Sequence, residues 1–195
     1  MKSRPILFIA PMVRAILEGR KTQTRRAVKF NASHRIQLHG KQWHVEDPDA
    51  VMGCPYGQKM DRLWVRETFA DTRLESNRKP WTYRADEDAT DRDMCPLKWK
   101  PGIFMPREAS RITLEIKWER IERLQQITAG DAIDEGVRSD ECPMTAYSTS
   151  IANGCGVRTL DCVGGYRKLW ESINGCGSWD NNPLVWVIGF EVIYE

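Results

Sequence analysis

Residues 18–26 form a short basic segment that holds the side chains best suited to chemistry in this chain. The side chains concerned are those of Arg20, Lys21, Thr24, Arg25 and Arg26. A cluster of cations attracts an anionic group, and a threonine hydroxyl attacks a carbonyl once a base takes its proton. A lysine can be that base when burial or neighbouring cations disfavour its ammonium form. The segment therefore predicts a hydrolytic or an anion-binding site. The alternative is that its cations only bond the last carbonyls of a preceding helix.

The spacing of Lys21 and Thr24 bears on which of these readings holds. The two residues are three positions apart, and the segment follows a predicted helix that Gly19 is placed to end. We therefore interpret the segment as a turn at a helix exit, which would bring both side chains to one side and within hydrogen-bond reach. Otherwise Thr24 serves only to cap the next turn.

Two carboxylates elsewhere in the chain are candidates for acid–base chemistry. Glu135 falls in the last turn of a predicted short helix, where the negative helix end disfavours a carboxylate. It is therefore either a residue with another duty or a solvated carboxylate. Glu67 shares one face of a predicted strand with Leu63 and Val65. It is a substitute acid if it points inward, and otherwise a partner for neighbouring strands.

The cysteines and histidines do not predict a metal site. No pair of the six cysteines has C-x-x-C spacing, and the three histidines lie at five-residue intervals. Structural zinc ligands normally come in closely spaced pairs, so we expect free thiols and no metal. A zinc site that draws on Cys142, Cys155 and Cys162 is the weaker alternative. The common motifs for phosphate, dinucleotide, zinc-protease and serine-hydrolase sites are absent as well, so no cofactor is expected.

The composition bounds the class of protein. The chain has 195 residues, is 41% hydrophobic and has a net charge of +2. This length predicts a single domain over 1–195, and the small charge excludes a strongly basic coat for nucleic acid. No apolar run approaches the roughly 18 residues of a membrane span, and the first residues lack a secretion signal. We therefore expect a cytoplasmic protein with no membrane partner.

The hydrophobic pattern predicts the elements that would hold these residues in place. The predicted strands are 5–10, 63–69, 81–84, 110–118 and 184–194. The predicted helices begin at Pro11, Thr128 and Tyr166, and long insertions are expected near 30–57, 71–103 and 138–163. The first helix would bury Met12, Ile16 and Leu17, and the strand at 110–118 would bury Ile112, Leu114, Ile116 and Trp118. Few strands are linked by full-length helices, which favours an α+β fold built on a mostly antiparallel barrel.

The pattern Gly19-x-Lys21-x-x-Thr24-x-Arg26 resembles the GxKxxTxR motif of the ASCH (activating signal cointegrator homology) superfamily, whose fold is a PUA-like β-barrel. Residues 61–65, 124–136 and 184–194 resemble later elements of that family in the same order. Met60 departs from the glycine usual there, which affects the local turn. The chain as a whole resembles long phage and prophage members through 11–17, 54–57, 64–68 and 178–180.

The resemblance implies an activity and a set of site residues. Small bacterial members of the superfamily are amidohydrolases that deacetylate N(4)-acetylcytidine with a lysine, a threonine and a glutamate. Carried over by position, these roles fall on Lys21, Thr24 and Glu135. The side chains expected to bind substrate or set the charge of the site are Arg20, Arg25, Arg26 and Glu67. Arg26 or a backbone N–H would stabilise the oxyanion. The alternative is a non-catalytic PUA-like module that binds RNA, DNA or a modified base.

Overall fold

The structure is a computed structural model that describes residues 1–38, 40–72, 80–86, 97–138 and 161–193. The described strands are β1 (Ser3–Leu7), β2 (Gln23–Ala27), β3 (Ile36–Leu38), β4 (Lys41–Trp43), β5 (Arg62–Arg66), β6 (Phe69–Asp71), β7 (Trp81–Tyr83), β8 (Thr113–Arg123) and β9 (Leu184–Ile193). The described α-helices are α1 (Ala10–Leu17), α2 (Ala129–Asp134) and α3 (Cys162–Asn174).

One five-stranded sheet forms the centre of the fold. Its strand order is β1-β5-β8-β9-β2, with β1 parallel to β5 and every other neighbour antiparallel. The predicted α+β class with a mainly antiparallel sheet is therefore confirmed. Within the described part of the chain, the strand pairings leave β1 and β2 as the two edges of the sheet, and no closed barrel is present.

Strand β9 is buried on both faces because a hydrophobic cluster packs on each side of the sheet. Trp186, Ile188 and Phe190 join the cluster formed with β1, α1, β5 and β8. Val185 and Val187 face the opposite way, into a cluster formed with α2 and α3. This explains the continuous apolar run of β9, since a strand covered on both faces shows no polar alternation. Strand β2, paired with β9, lies between these layers.

Helix α1 carries the chain from β1 to β2 and differs from its prediction in two respects. The first strand ends at Leu7, so that the helix already begins at Ala10. Its buried face consists of Val13, Ala15 and Ile16, whereas Leu17, expected to be buried, is 46% exposed. The predicted end is confirmed, because Gly19 has φ +73°, the left-handed conformation that glycine adopts without steric cost.

The interpretation of 18–26 as a turn at a helix exit is wrong for its second half, because Gln23–Ala27 is a strand. The strand escaped prediction because its residues are Gln-Thr-Arg-Arg-Ala, with none of the β-branched or aromatic alternation of a half-buried strand except Thr24. Its polar side chains are nevertheless buried or half-buried. Acidic and amide partners from other elements make that burial possible.

The predicted insertion at 30–57 also contains regular structure. Strands β3 and β4 form a hairpin, and Ile36 belongs to the main hydrophobic cluster together with Ala50. This part of the segment therefore contributes to the core. The insertions expected at 71–103 and 138–163 lie largely outside the described residues.

Strand β8 extends to Arg123, beyond the predicted end at 118. Ile112, Leu114 and Ile116 are buried as expected, but the pairing register with β9 shifts between Ile116 and Trp118. This irregularity leaves Trp118 partly exposed, with its indole over Gly189. A bulge changes which face the following side chain occupies, so the period-two prediction fails at this point.

The later elements α2, α3 and β9 agree with their predictions except at the start of α3. Thr128 caps α2 through a capping box with Asp131, and α3 ends before Gly175, which has φ +97°. Helix α3 begins at Cys162, four residues before the predicted start. None of the helices in the described residues is both long enough and apolar enough to cross a membrane.

Candidate active site

A fully buried ion pair joins Lys21 to Glu135, 114 residues further along the chain. The Lys21 Nζ donates to the Glu135 Oε2 at 2.7 Å and to the Glu135 backbone oxygen at 2.9 Å. The two side chains are 0% and 1% exposed. A buried charge is tolerated only when it is paired and hydrogen-bonded, so this pair must form for the chain to fold around it.

Backbone contacts set the position of both partners. After α1 ends, the Lys21 N–H donates to the Ala15 carbonyl at 3.0 Å, and the Thr22 N–H donates to the Asp134 carbonyl at 2.9 Å. Lys21 and Glu135 form an antiparallel bridge at the end of α2. The Arg20 guanidinium also bonds the Gly136 carbonyl at 2.8 Å. The helix exit and the end of α2 are therefore joined by main-chain contacts.

Arg25 extends the pair into a network. Its Nη1 lies 3.2 Å from the Glu135 Oε1, and its Nη2 lies 2.6 Å from a Glu122 oxygen and 3.4 Å from Asp131. Both oxygens of Glu135 are thus bound, one by Lys21 and the other by Arg25. We call Lys21, Arg25, Glu122, Asp131 and Glu135 the buried network. Its two cations face three carboxylates, and Arg120, which binds Glu122 and Asp131 from outside the network, supplies the third positive charge. This balance explains how two cations are accommodated inside the protein.

Burial lowers the pKa of Lys21, because the ammonium form loses its hydration. The Glu135 carboxylate offsets part of this effect, and the nearby charges of Arg26 and Arg25 lower the pKa further. The pressure expected from neighbouring arginines is therefore present. A lysine in this setting gives up its proton at a lower pH than a surface lysine.

Asp131 connects the buried network to β2 and β8. Its carboxylate accepts from the Thr128 N–H and hydroxyl, from Gln23 at 3.1 Å and from Arg120 at 3.1 Å. Burial alone would raise the pKa of Asp131, but these hydrogen bonds and the Arg25 charge outweigh it and hold the pKa well below its usual value. Asp131 is therefore a structural anion at neutral pH.

A cleft opens beside the network, between the free edge of β2 and helix α3. The residues that line it are Met12, Thr24, Arg25, Arg26, Ala27, Glu135, Tyr166, Leu169, Trp170, Ile173 and Asn174. Its enclosed volume is about 50 Å³, and a second hollow of about 60 Å³ adjoins it across Met12, Glu135 and Leu169. We call the cleft and the second hollow together the groove. Glu135 lines both parts and is the one acidic residue among the described lining residues.

Thr24 and Lys21 occupy different places relative to this groove. Thr24 is buried in β2 and lines the groove, and its hydroxyl has no hydrogen-bond partner among the described residues. Lys21 lies behind Glu135 and lines neither hollow. The expected contact between the two side chains is absent. The argument from three-residue spacing assumed one turn that holds both residues, whereas Thr24 lies in β2 and Lys21 lies before it, in the bridge to Glu135.

The other arginines have separate contacts. Arg26 lines the groove, donates through Nη2 to the Leu7 carbonyl and lies 5.1 Å from the Phe8 ring centroid. Arg20 lines only the second hollow and pairs with Glu18 at its surface. Arg26 is therefore the cation placed beside Thr24, whereas Arg20 holds the end of α2.

Comparison with protein-family models, with curated proteins and with solved structures finds no match to this chain. The described residues also contain no cluster of His, Cys, Asp and Glu that could hold a metal ion. Cys142 and Cys155, two members of the alternative zinc site, lie outside the described residues, and Cys162 is a buried free thiol in α3.

Glu67 does not belong to this site, which corrects the expectation that it would join the anion-binding residues. It is buried and pairs with Arg111 at 2.9 Å, and Arg111 also binds Asp86 at 2.7 Å. Burial raises the pKa of Glu67, and Arg111 opposes the shift. Glu67 is therefore a partner in a second ion-pair cluster.

Four residues of the site were not predicted: Glu122, Asp131, Tyr166 and Trp170. Glu122 lies beyond the end of the predicted strand at 118, and Asp131 follows the Thr128 cap of a predicted helix, so only the fold reveals their contact with Arg25. Tyr166 and Trp170 are four apart on α3, a spacing that signals a shared helix face. Burial raises the pKa of Tyr166 well above its usual value, so this phenol stays protonated and is not a base.

Proposed function

We propose that this protein is an ASCH-type amidohydrolase that acts on an acylated nucleoside such as N(4)-acetylcytidine. One observation carries the proposal: Glu135 of the buried Lys21–Glu135 pair and Thr24 line the same cleft, and the Thr24 hydroxyl has no hydrogen-bond partner among the described residues. A free hydroxyl beside an ionisable pair is the arrangement that nucleophilic catalysis requires.

In the first step, the Thr24 oxygen attacks the acyl carbonyl, and its proton passes to the Lys21–Glu135 pair. Glu135 is the member of the pair that lines the cleft, so it exchanges the proton with the reacting atoms. Lys21 lies behind it and sets its charge, and the lowered pKa of Lys21 allows the pair to share one proton. Arg26 faces the developing oxyanion, a stabilisation worth roughly 3–4 kcal/mol per donor in well-studied hydrolases.

In the second step, the C–N bond breaks, and the pair returns the proton to the leaving amine. Water then attacks the acyl-threonine ester, the pair accepts one proton from it, and the acid and free threonine are released. No metal or cofactor is required by this sequence. Each proton taken from an attacking group is given to a leaving group, so the pair is restored at the end of the cycle.

The size of the groove limits how the substrate lies. The cleft has a volume of only about 50 Å³, which suits an acyl group better than a whole nucleoside. We therefore place the acyl group beside Thr24 and the nucleobase in the open mouth between α1 and α3. We also propose that the five-stranded sheet belongs to a PUA-like barrel. The connection of β1 to β2 through α1, with Arg26 of β2 bonded to Leu7 of β1, supports closure on that side.

The test is release of acetate from N(4)-acetylcytidine by the purified protein. Thr24→Val removes the hydroxyl while keeping the shape and strand preference of the side chain, and we expect it to abolish turnover. Thr24→Ser is the matched control, because it keeps a hydroxyl and should retain part of the activity. Full activity of Thr24→Val, or no hydrolysis of any acylated nucleoside by the wild type, contradicts the proposal.

The alternative function is non-catalytic binding of RNA or DNA, and one surface favours it. The Arg66 and Arg107 guanidiniums lie 5.2 and 5.8 Å from the Trp64 ring centroid, and neither forms an ion pair with a described residue. Arginines beside an aromatic ring suit phosphates and bases. Binding of single-stranded RNA that falls steeply with salt and is lost in Arg66→Gln/Arg107→Gln, without hydrolysis by the wild type, selects this alternative.

A further inference from the structure

Two residues on the wall of the groove have buried hydrogen-bond donors without partners. Trp170 of α3 lines the groove, and its buried indole Nε1 donates to no acceptor among the described residues. The same holds for Nε of Arg26, which lines the groove from β2. Thr24 lines the same groove, and its hydroxyl has no hydrogen-bond partner in the described part of the chain.

Such an arrangement is unusual for purely structural residues. An indole N–H is a donor only, and buried tryptophans usually find an acceptor. A buried donor left unpaired costs about 1–3 kcal/mol of stability. Trp170 is only 5% exposed, so this cost applies to its indole N–H. Trp179, a neighbour in the same hydrophobic cluster, has no unpaired buried atom and does not line the groove. Of these two tryptophans, the one with the unpaired N–H is therefore the one that lines the groove.

We infer that Trp170 is a substrate-binding residue whose indole N–H donates to a carbonyl oxygen of the ligand, with Arg26 Nε–H as a second donor. The ligand class is a carbonyl-bearing amide or base, because donors without acceptors select acceptor oxygens. The same wall has apolar side chains at Met12, Leu169 and Ile173. The oxygen is either that of the acyl group or the 2-oxo group of the pyrimidine. This inference rests on the proposed function.

The experiment measures equilibrium binding in the Thr24→Val background, where no turnover disturbs it. The probes are N(4)-acetylcytidine and cytidine, and the added substitution is Trp170→Phe, which keeps an aromatic ring and removes the N–H. We expect Kd to rise about threefold to tenfold, the effect of one lost hydrogen bond. Trp179→Phe is the matched control, and we expect it to leave Kd unchanged. A rise for both probes assigns the bond to the 2-oxo group, and a rise for the acetylated probe alone assigns it to the acyl oxygen.

Stability separates a binding role from a packing role. Because the N–H has no partner in the free protein, Trp170→Phe should lower Tm no more than Trp179→Phe does. The inference is overturned if Kd is unchanged by Trp170→Phe, if neither probe binds, or if Trp179→Phe weakens binding equally. Hydrolysis by the wild type with an unchanged Kd in Trp170→Phe rejects the inference and leaves the proposed function standing. Binding that depends on Trp170 without hydrolysis rejects the catalytic proposal and keeps this site.

Discussion

Replacing Lys21 by methionine tests whether the buried Lys21–Glu135 ion pair is shielded from water. The substitution removes the ammonium and leaves the Glu135 carboxylate buried with only Arg25 as its counter-ion. Breaking a buried pair by removing one partner costs about 3–5 kcal/mol. We expect the lower end of this range, about 3 kcal/mol, because Arg25 still compensates one oxygen. For a domain of this size the loss corresponds to roughly 6–12 °C in Tm.

The assay is urea denaturation at pH 7 with two controls. Lys117→Met removes a surface lysine that pairs with Glu115 at 2.8 Å, and its side chain is 39% exposed. Exposed pairs contribute little to stability, so this variant should remain near the wild type. The double variant Lys21→Met/Glu135→Leu removes both charges and should recover part of the stability, because apolar groups replace a desolvated pair.

Two results would refute this reasoning. If Lys21→Met costs no more than Lys117→Met, the pair is effectively solvated, and the argument that burial lowers the pKa of Lys21 fails with it. If the double variant is less stable than Lys21→Met, Glu135 has a stabilising role that does not depend on Lys21. Its contact with Arg25 would then be the main structural interaction of the site.

Three further predictions concern stability. Asp131→Asn should destabilise the protein at pH 7 by about 1–2 kcal/mol, because it weakens the helix cap. The difference from the wild type should shrink as the pH falls below 3.8, since a carboxylate with a depressed pKa stabilises the fold only while it is ionised. Urea titrations at several pH values measure this difference. Gly189→Ala would place a Cβ against the Trp118 indole with too little room for it, so a loss of about 1–3 kcal/mol is expected. Trp118→Ala in the same chain should recover part of this loss. In Gly19→Ala the added Cβ has no neighbouring atom within 4 Å, but the alanine must adopt φ +73°. We therefore expect thermal denaturation to show a stability loss of about 1 kcal/mol. No loss would show that α1 ends in a different backbone conformation.

The elements with strong periodicity were the ones that the sequence predicted well. Strand β9, the Thr128 cap of α2 and the glycine ends of α1 and α3 were all expected, because each depends on neighbouring residues alone. Trp118 was misplaced because a register shift against β9 is a property of the pair of strands. A single strand contains no signal for it.

Strand β2 shows why polar strands are missed. Gln23, Thr24 and Arg25 are buried although their types predict exposure. What permits their burial is a set of partners that lie about a hundred residues away, chiefly Asp131 and Glu135. Propensity reflects average environments, and a specific ion pair overrides it.

The candidate site was also predicted only in part from the sequence. The types and spacing of Lys21, Thr24 and Arg26 and the position of Glu135 at a helix end can be read from the chain, because a motif and a cap are local patterns. Only the tertiary structure decided that Glu135 reaches Lys21 at 2.7 Å, that Thr24 faces a groove while Lys21 lies behind it, and that Glu67 pairs elsewhere. The physical reason is that burial of charge depends on which distant elements pack together, and the bridge between the exit of α1 and the end of α2 is a contact between such elements.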